Sequence, residues 1–205
     1  MNDLQRTDDW FARRCGKATG SRIADIVAKT KTGWGAARVN YLAQLVAERL
    51  TGRVEDGFKS SAMQWGIDTE PQATEAYEAI TLSVVDPVGF VDHPHIGMAG
   101  ASPDGLVGDD GLVEIKCPNT ATHIDALLGS AIPGKYLTQM QWQMACTGRQ
   151  WCDYVSFDPR MPPHLQMRIE RVERDQGRID ELEKMVSDFL AEVASKVEAL
   201  QKVAA

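Results

Sequence analysis

Apolar residues recur along this chain at two periods, and the changes from one period to the other mark out the elements. Ile23, Ile26 and Val27 sit at helical spacing behind residues 19–21, whose hydroxyls can cap a short helix. Val39, Leu42, Val46 and Leu50 form one face of a helix predicted over residues 36–50, which Gly52 closes. A third helix is predicted over residues 62–79, with Pro71 either kinking it or opening a new first turn. The pattern then shortens to strands over residues 82–91, 96–101, 105–107 and 112–117. A helix over residues 135–147 leads to strands over 151–157 and 165–172. Over residues 176–203, Ile179, Leu182, Val186, Phe189, Val193, Val197 and Leu200 make one helical stripe, read as core or subunit packing without chemistry. No repeat, low-complexity tract or linker interrupts the series. The expectation is one domain over residues 1–205, α/β in class, with a mixed sheet between helices and a C-terminal helix.

Composition narrows the class without naming a chemistry. The chain has 205 residues, 43% hydrophobic and 25% charged, enough for one well-packed domain. No apolar run approaches the roughly 20 residues that cross a bilayer, and residues 1–14 lack a signal-peptide core. Cys15, Cys117, Cys146 and Cys152 are far apart and form no Cys-x-x-Cys pair, which argues against a structural zinc site or a disulfide framework. Reduced cysteines in a cytoplasmic protein fit best. The histidines show no ligand spacing; His93 and His95 bracket Pro94 in a turn. A net charge of −7 argues at first against a nucleic-acid partner, but a local basic groove can coexist with an acidic exterior.

The segment from Ser102 to Pro118 changes the picture. Leu106-Val107 and Leu112-Val113 flank the turn residues Asp109, Asp110 and Gly111, which predicts a β-hairpin. Alternate side chains of a strand share a face, so Glu114 and Lys116 point the same way, and Asp104 at the start of the partner strand can face them. Carboxylates and an ammonium inside an apolar sheet are costly unless a cation or a reacting group compensates them. The set suits a divalent metal on oxygen ligands with a lysine beside the attacking water. Taken alone, Glu-x-Lys is more often a solvated strand face with a cross-strand ion pair.

Four ordered segments sharpen this. They are Trp10-x-x-x-Arg14-x-Gly16 with Thr19-Gly20-Ser21; Trp65-Gly66-x-x-x-Glu70; Ser102-Pro103-Asp104-Gly105 with Glu114-Ile115-Lys116-Cys117-Pro118; and Tyr136-x-x-Gln139-x-Gln141. With Phe157-Asp158-Pro159-Arg160-Met161 they resemble the phage lambda exonuclease family, the YqaJ-type viral recombinases of the PD-(D/E)xK nuclease superfamily, over residues 10–175. The resemblance implies a restriction-endonuclease-like fold and a 5′→3′ exonuclease. Such an enzyme degrades one strand of linear double-stranded DNA to 5′-mononucleotides and leaves 3′ overhangs for single-strand annealing. It implies that Asp104, Glu114, the backbone carbonyl of Ile115 and Glu70 hold two Mg²⁺ ions, which Mn²⁺ can replace. Lys116 would orient and help deprotonate the attacking water, its pKa lowered by desolvation and raised by the two acids. Gln139 would hold the surrounding shell, with Gln141 a weaker choice on the same helix.

Arg14 and Ser21 offer a guanidinium fork and a hydroxyl near a helix N-terminus; alone they read as a surface arginine and an N-cap serine, and the resemblance implies a pocket for a terminal 5′-phosphate. Lys29, Lys31 and Trp34 in a Gly-containing loop, and Met63 one turn before Gly66, are weaker candidates for DNA contact. After Pro118 the family carries a basic residue, whereas residues 119–122 here are uncharged and His123 is the one candidate replacement. The resemblance also implies a ring-shaped homotrimer, linear duplex ends with 5′-phosphate as substrate, and a single-strand annealing protein as partner in a bacterial cytoplasm. Two other classes stay open: a PD-(D/E)xK nuclease of other polarity or an endonuclease, and a DNA-end binding module without chemistry.

Overall fold

A computed structural model describes residues 4–31, 33–54 and 60–203. The chain runs α1 (Asp8–Arg14), β1 (Ala18–Thr19), a 3₁₀ turn (Gly20–Arg22), α2 (Ile23–Ile26), β2 (Lys29–Thr30), β3 (Gly33–Trp34), α3 (Ala36–Thr51) and α4 (Ser61–Thr81). There follow β4 (Val85–Asp86), β5 (Val91–Asp92), β6 (Ala99–Ala101), β7 (Gly105–Val107), β8 (Gly111–Lys116), α5 (Thr120–Leu127), α6 (Gly134–Thr147), β9 (Trp151–Phe157), β10 (Met167–Glu173) and α7 (Gln176–Val203). The main sheet has the order β10-β9-β8-β7-β4. It is mixed, because β8 and β9 pair in parallel while the other neighbours are antiparallel.

β7 and β8 form the expected hairpin, with Leu106 opposite Leu112 and Gly105 opposite Val113. Gly105 has to be glycine for space: a Cβ there would lie 2.1 Å from Val85 Cγ1 on the neighbouring strand. β8 is covered on both faces. Leu112 packs with Met140 and Met144 of α6, while Val113 and Ile115 pack with Ala73 and Tyr77 of α4. Period two therefore sends Glu114 toward α6 and the Ile115 side chain into the opposite core layer. A third apolar cluster joins α2, α3 and α7, with Tyr41 stacked on Phe189 at 5.8 Å between ring centres.

Several expectations need correction. The apolar face of α3 is rotated from the one read off the sequence. Tyr41, Leu42, Leu45 and Val46 are buried, whereas Val39 and Leu50 are 57% and 42% exposed. The long strand expected over residues 82–91 is instead the two-residue β4 and β5, separated by a segment holding Pro87 and Gly89. Helix α4 runs unbroken through Pro71, whose missing N–H leaves the carbonyl of Ile67 without its helical donor. Residues 163–165 form a 3₁₀ turn, so the last strand begins at Met167. The stripe of α7 is buried through Val193 and then runs out, with Leu200 48% exposed. Helices α1 and α5 and the β2–β3 hairpin were not anticipated. Among the described residues no helix is long and apolar enough to cross a membrane.

Candidate active site

Glu114 is fully buried, and its carboxylate is held by three donors. Gln139 Nε2 donates to Oε1 at 2.7 Å, and Gln143 Nε2 donates to Oε2 at 2.6 Å. Both glutamines come from α6, four residues apart and hence on one helical face. Lys116, next on the same face of β8, donates its ammonium to Oε1. Gln141 points elsewhere: it donates to the carbonyl of Glu173 and accepts from the N–H of Asp175, tying α6 to the start of α7. Gln143, crowded with Gln139 and Gln141 on one helix, reads from the sequence as a solvated glutamine, although its i+4 relation to Gln139 puts the two on one face.

Asp104 lies one residue before β7, where its Oδ2 accepts the N–H of Ile115 at 2.7 Å. Burial and the neighbouring charges of Glu114 and Glu70 push its carboxyl well above the ordinary range, against the pull of Lys116 and the Ile115 N–H. Lys116 moves the other way from the usual buried lysine. Burial lowers its pKa, but the charges of Glu114 and Asp104 outweigh that and keep the ammonium protonated. Glu70, on α4, pairs with Arg6 at 2.7 Å. Burial pushes the Cys117 thiol up to about 12, so it stays a thiol.

These groups share one cleft of about 1330 Å³. Glu70, Asp104, Ile115, Lys116 and Gln139 line it, with Glu114 enclosed beside them, and Ser21 and the exposed Met63 stand at its edge. The donors are of the right type for a hard divalent cation, being carboxylates and a carbonyl without competing thiolate or imidazole. Among the described residues no three His, Cys, Asp or Glu side chains are already drawn into one coordination shell, because Glu114, Asp104 and Glu70 are each engaged by protein donors.

Arg14 does not line this cleft; it bonds to Ser102, which is close in sequence to Asp104. The hydroxyl of Ser102, two residues before Asp104, accepts from Trp10 Nε1 at 3.0 Å and from Arg14 Nη1 at 3.2 Å. The Arg14 guanidinium lies over the Trp10 ring at 4.0 Å. Burial brings its pKa down to about 10, partly offset by Tyr41 and Glu48, so it remains a cation near neutrality. Ser102 is a further polar group that the sequence did not single out.

The other candidates fall outside this arrangement. Lys29, Lys31 and Trp34 belong to the β2–β3 hairpin region and do not line the cleft. Trp34 packs on Arg38, 4.1 Å from its ring centre, and Arg38 pairs with Glu192 of α7 at 2.9 Å. His123 is buried and bonded through both ring nitrogens, to Ser156 Oγ at 2.8 Å and the Leu165 carbonyl at 2.9 Å. It therefore cannot replace a basic residue after Pro118.

Residues 9–150 match the family described as the YqaJ-like viral recombinase domain. The crystal structure of LHK-Exo, an alkaline exonuclease from Laribacter hongkongensis, is similar at 50% identity and a TM-score of 0.91, covering 97% of this chain and 98% of that one. The LHK-Exo complex with dAMP gives the same figures. A phage-related exonuclease from Haemophilus somnus shares the fold at 15% identity, with a TM-score of 0.74 over 90% of this chain and 96% of that one. No curated protein sequence matches the chain.

Proposed function

Because the chain belongs to the YqaJ-like viral recombinase family, we propose that it is a divalent-metal-dependent nuclease that degrades linear duplex DNA from its 5′ ends. Its products are 5′-mononucleotides and 3′ overhangs. The observation that carries this reading is the convergence of Asp104, Lys116, Glu70 and Gln139 on one cleft, with the buried Glu114 carboxylate bonded to Lys116 and Gln139 beside it. The similarity to an alkaline exonuclease over nearly the whole chain supports the reaction class.

Asp104, Glu114, the Ile115 carbonyl and Glu70 are the groups that would hold two Mg²⁺ or Mn²⁺ ions. Ions so held would supply an activated water and stabilise the attacking and leaving oxygens of an in-line displacement. The chain's own groups do the rest. Gln139 and Gln143 fix the Glu114 carboxylate, so it need not reorganise as charge develops. As an ammonium, Lys116 orients the water and offsets charge on the phosphoryl oxygens; accepting a proton requires that the acids beside it first be neutralised. The bond broken is P–O3′, which leaves a 3′-hydroxyl on the released nucleotide and a new 5′-phosphate on the shortened strand. Arg14, bonded to Ser102, and Ser21, which lines the cleft, would grip that phosphate, so each turnover regenerates the group that positions the next. A homotrimeric ring around DNA and a single-strand annealing protein on the exposed 3′ strand, in a bacterial cytoplasm, complete the reading.

Duplex DNA labelled separately at each 5′ and each 3′ end tests it, digested with Mg²⁺ and then with EDTA. Metal-dependent release of 5′-terminal nucleotides, with intact 3′ strands, is the expected result. Internal fragments or loss from the 3′ ends would overturn the polarity, and binding without cleavage would leave an end-binding module.

A further inference from the structure

The segment that follows Lys116 carries no cation of its own, yet the fold brings one to it. Arg160 sits in the turn after β9, and its Nη2 donates to the carbonyl of Pro118 at 3.4 Å, two residues beyond Lys116. Its guanidinium is fixed from two further sides. Nε and Nη2 donate to the two oxygens of Asp158 at 2.7 and 3.0 Å, and the Trp65 ring of α4 lies 4.5 Å away. Asp158 is itself fully buried and accepts the Arg160 backbone N–H at 3.0 Å. Burial alone would raise the Asp158 pKa; the hydrogen bonds from Arg160 and Thr120 overcome it and bring it down to about 2, so the anchor stays charged.

The fork is thus held on one edge and stacked on an indole. Its Nη1 group has no partner among the described residues, and the side chain is 47% exposed and lines the cleft that holds Lys116. We propose that Arg160 binds a DNA backbone phosphate flanking the one that reacts at Lys116, which rests on the nuclease reading above. An arginine so locked loses little side-chain freedom on binding, and its remaining pair of N–H groups matches a phosphate oxygen. Asp158 and Trp65 act on DNA only through Arg160 and are positioning residues.

The test is equilibrium binding of the intact protein to a blunt duplex, with and without 5′-phosphate, in EDTA over a range of KCl. For Arg160→Gln we expect several-fold weaker binding and a slope of log K against log [KCl] shallower by about 0.9, one phosphate contact on duplex DNA. The same loss is expected on 5′-hydroxyl ends, because the contact is internal. Trp65→Leu, which keeps the cation and removes its platform, should weaken binding with the slope retained. Asp158→Asn combined with Arg160→Gln restores a neutral pair, and it should bind no better than Arg160→Gln alone. An unchanged slope, recovery in the double variant, or a loss confined to 5′-phosphorylated ends would each overturn the assignment. Failure of the wild-type protein to bind duplex ends at all would instead remove the nuclease reading on which it rests.

Discussion

The amide of Gln143 donates to Oε2 of Glu114 at 2.6 Å, at a depth where the glutamine is 1% exposed and the glutamate not at all. No other hydrogen-bond partner reaches that oxygen among the described residues, so truncation leaves half of a buried carboxylate unpaired. A hydrogen bond to a charged group contributes about 1.5–3 kcal/mol, which is about ten- to a hundredfold in rate if it is spent on positioning. Gln143→Leu is expected to lower the exonuclease rate by that factor and to raise the Mg²⁺ concentration needed for half-maximal rate. A Mg²⁺ titration beside a thermal melt checks this. A lower melting point with unchanged Mg²⁺ demand would make Gln143 structural only.

Lys116 is the cation that compensates the buried Glu114 and the half-buried Asp104, so its loss has two separable effects. Lys116→Ala is expected to abolish cleavage while DNA binding persists. It should also destabilise the protein by about 3–5 kcal/mol, the usual cost of stranding one member of a buried pair. Added Mg²⁺ should recover more stability in this variant than in the wild type, because a bound cation replaces the missing ammonium. Urea unfolding with and without Mg²⁺ measures both, and near-normal cleavage by the variant would take Lys116 out of the site.

Arg14 stacks on Trp10 and reaches Ser102 without a carboxylate partner among the described residues, an arrangement suited to an incoming anion. Arg14→Ala is expected to slow degradation of 5′-phosphorylated duplexes by about ten- to a hundredfold, one charge-assisted bond. Hydroxyl-ended duplexes should hardly change. Paired initial-rate assays on the two substrates decide it, and equal losses on both would count against a terminal-phosphate pocket.

The hairpin that carries Asp104, Glu114 and Lys116 was legible because alternation and turn chemistry act locally, and β8 pairs as that pattern requires. Helix α7 was equally plain, since its stripe is long and uninterrupted. What escaped depends on tertiary neighbours. Gln143 looks like a solvated glutamine until β8 supplies a buried carboxylate opposite it. The face of α3 was misread because Arg38 and Glu48 are buried there by partners distant in sequence, Glu192 for one and the Gly16 N–H for the other. His123 resembled a surface titratable group, and only Ser156 and the Leu165 carbonyl, brought by β9 and the turn before β10, show it to be interior. Local pattern placed Asp104, Glu114 and Lys116 on one hairpin; which polar side chains surround them depends on packing that the sequence does not spell out.

His93 gives a stability test independent of catalysis. Its Nδ1 accepts the backbone N–H groups of His95 at 3.2 Å and Ile96 at 3.1 Å, and its ring stacks on Trp142 at 4.8 Å. Nε2 lies 3.2 Å from Glu183. Protonating Nδ1 would break both backbone bonds. Burial lowers the His93 pKa, and His95 adds to this, while Glu183 opposes it. The unfolded imidazole titrates near 6.5. Below that pH the unfolded chain binds a proton that the folded one refuses, so the contribution of His93 is fully present above about 6.5 and is lost as pH falls. Its slope cannot exceed about 1.36 kcal/mol per pH unit. Asp158, brought down to about 2, has its stability loss below the ordinary carboxylate range and leaves this window alone. Groups that do not touch His93 titrate alike in wild type and variant, so the difference between them isolates His93 together with its partners Glu183 and His95. Replacing it in His93→Asn, whose carbonyl can still accept from the turn, is expected to flatten the decline in unfolding free energy between about pH 6.5 and 5.5. Urea unfolding across that range measures it, and parallel pH profiles for the two proteins would show that His93 does not titrate on unfolding.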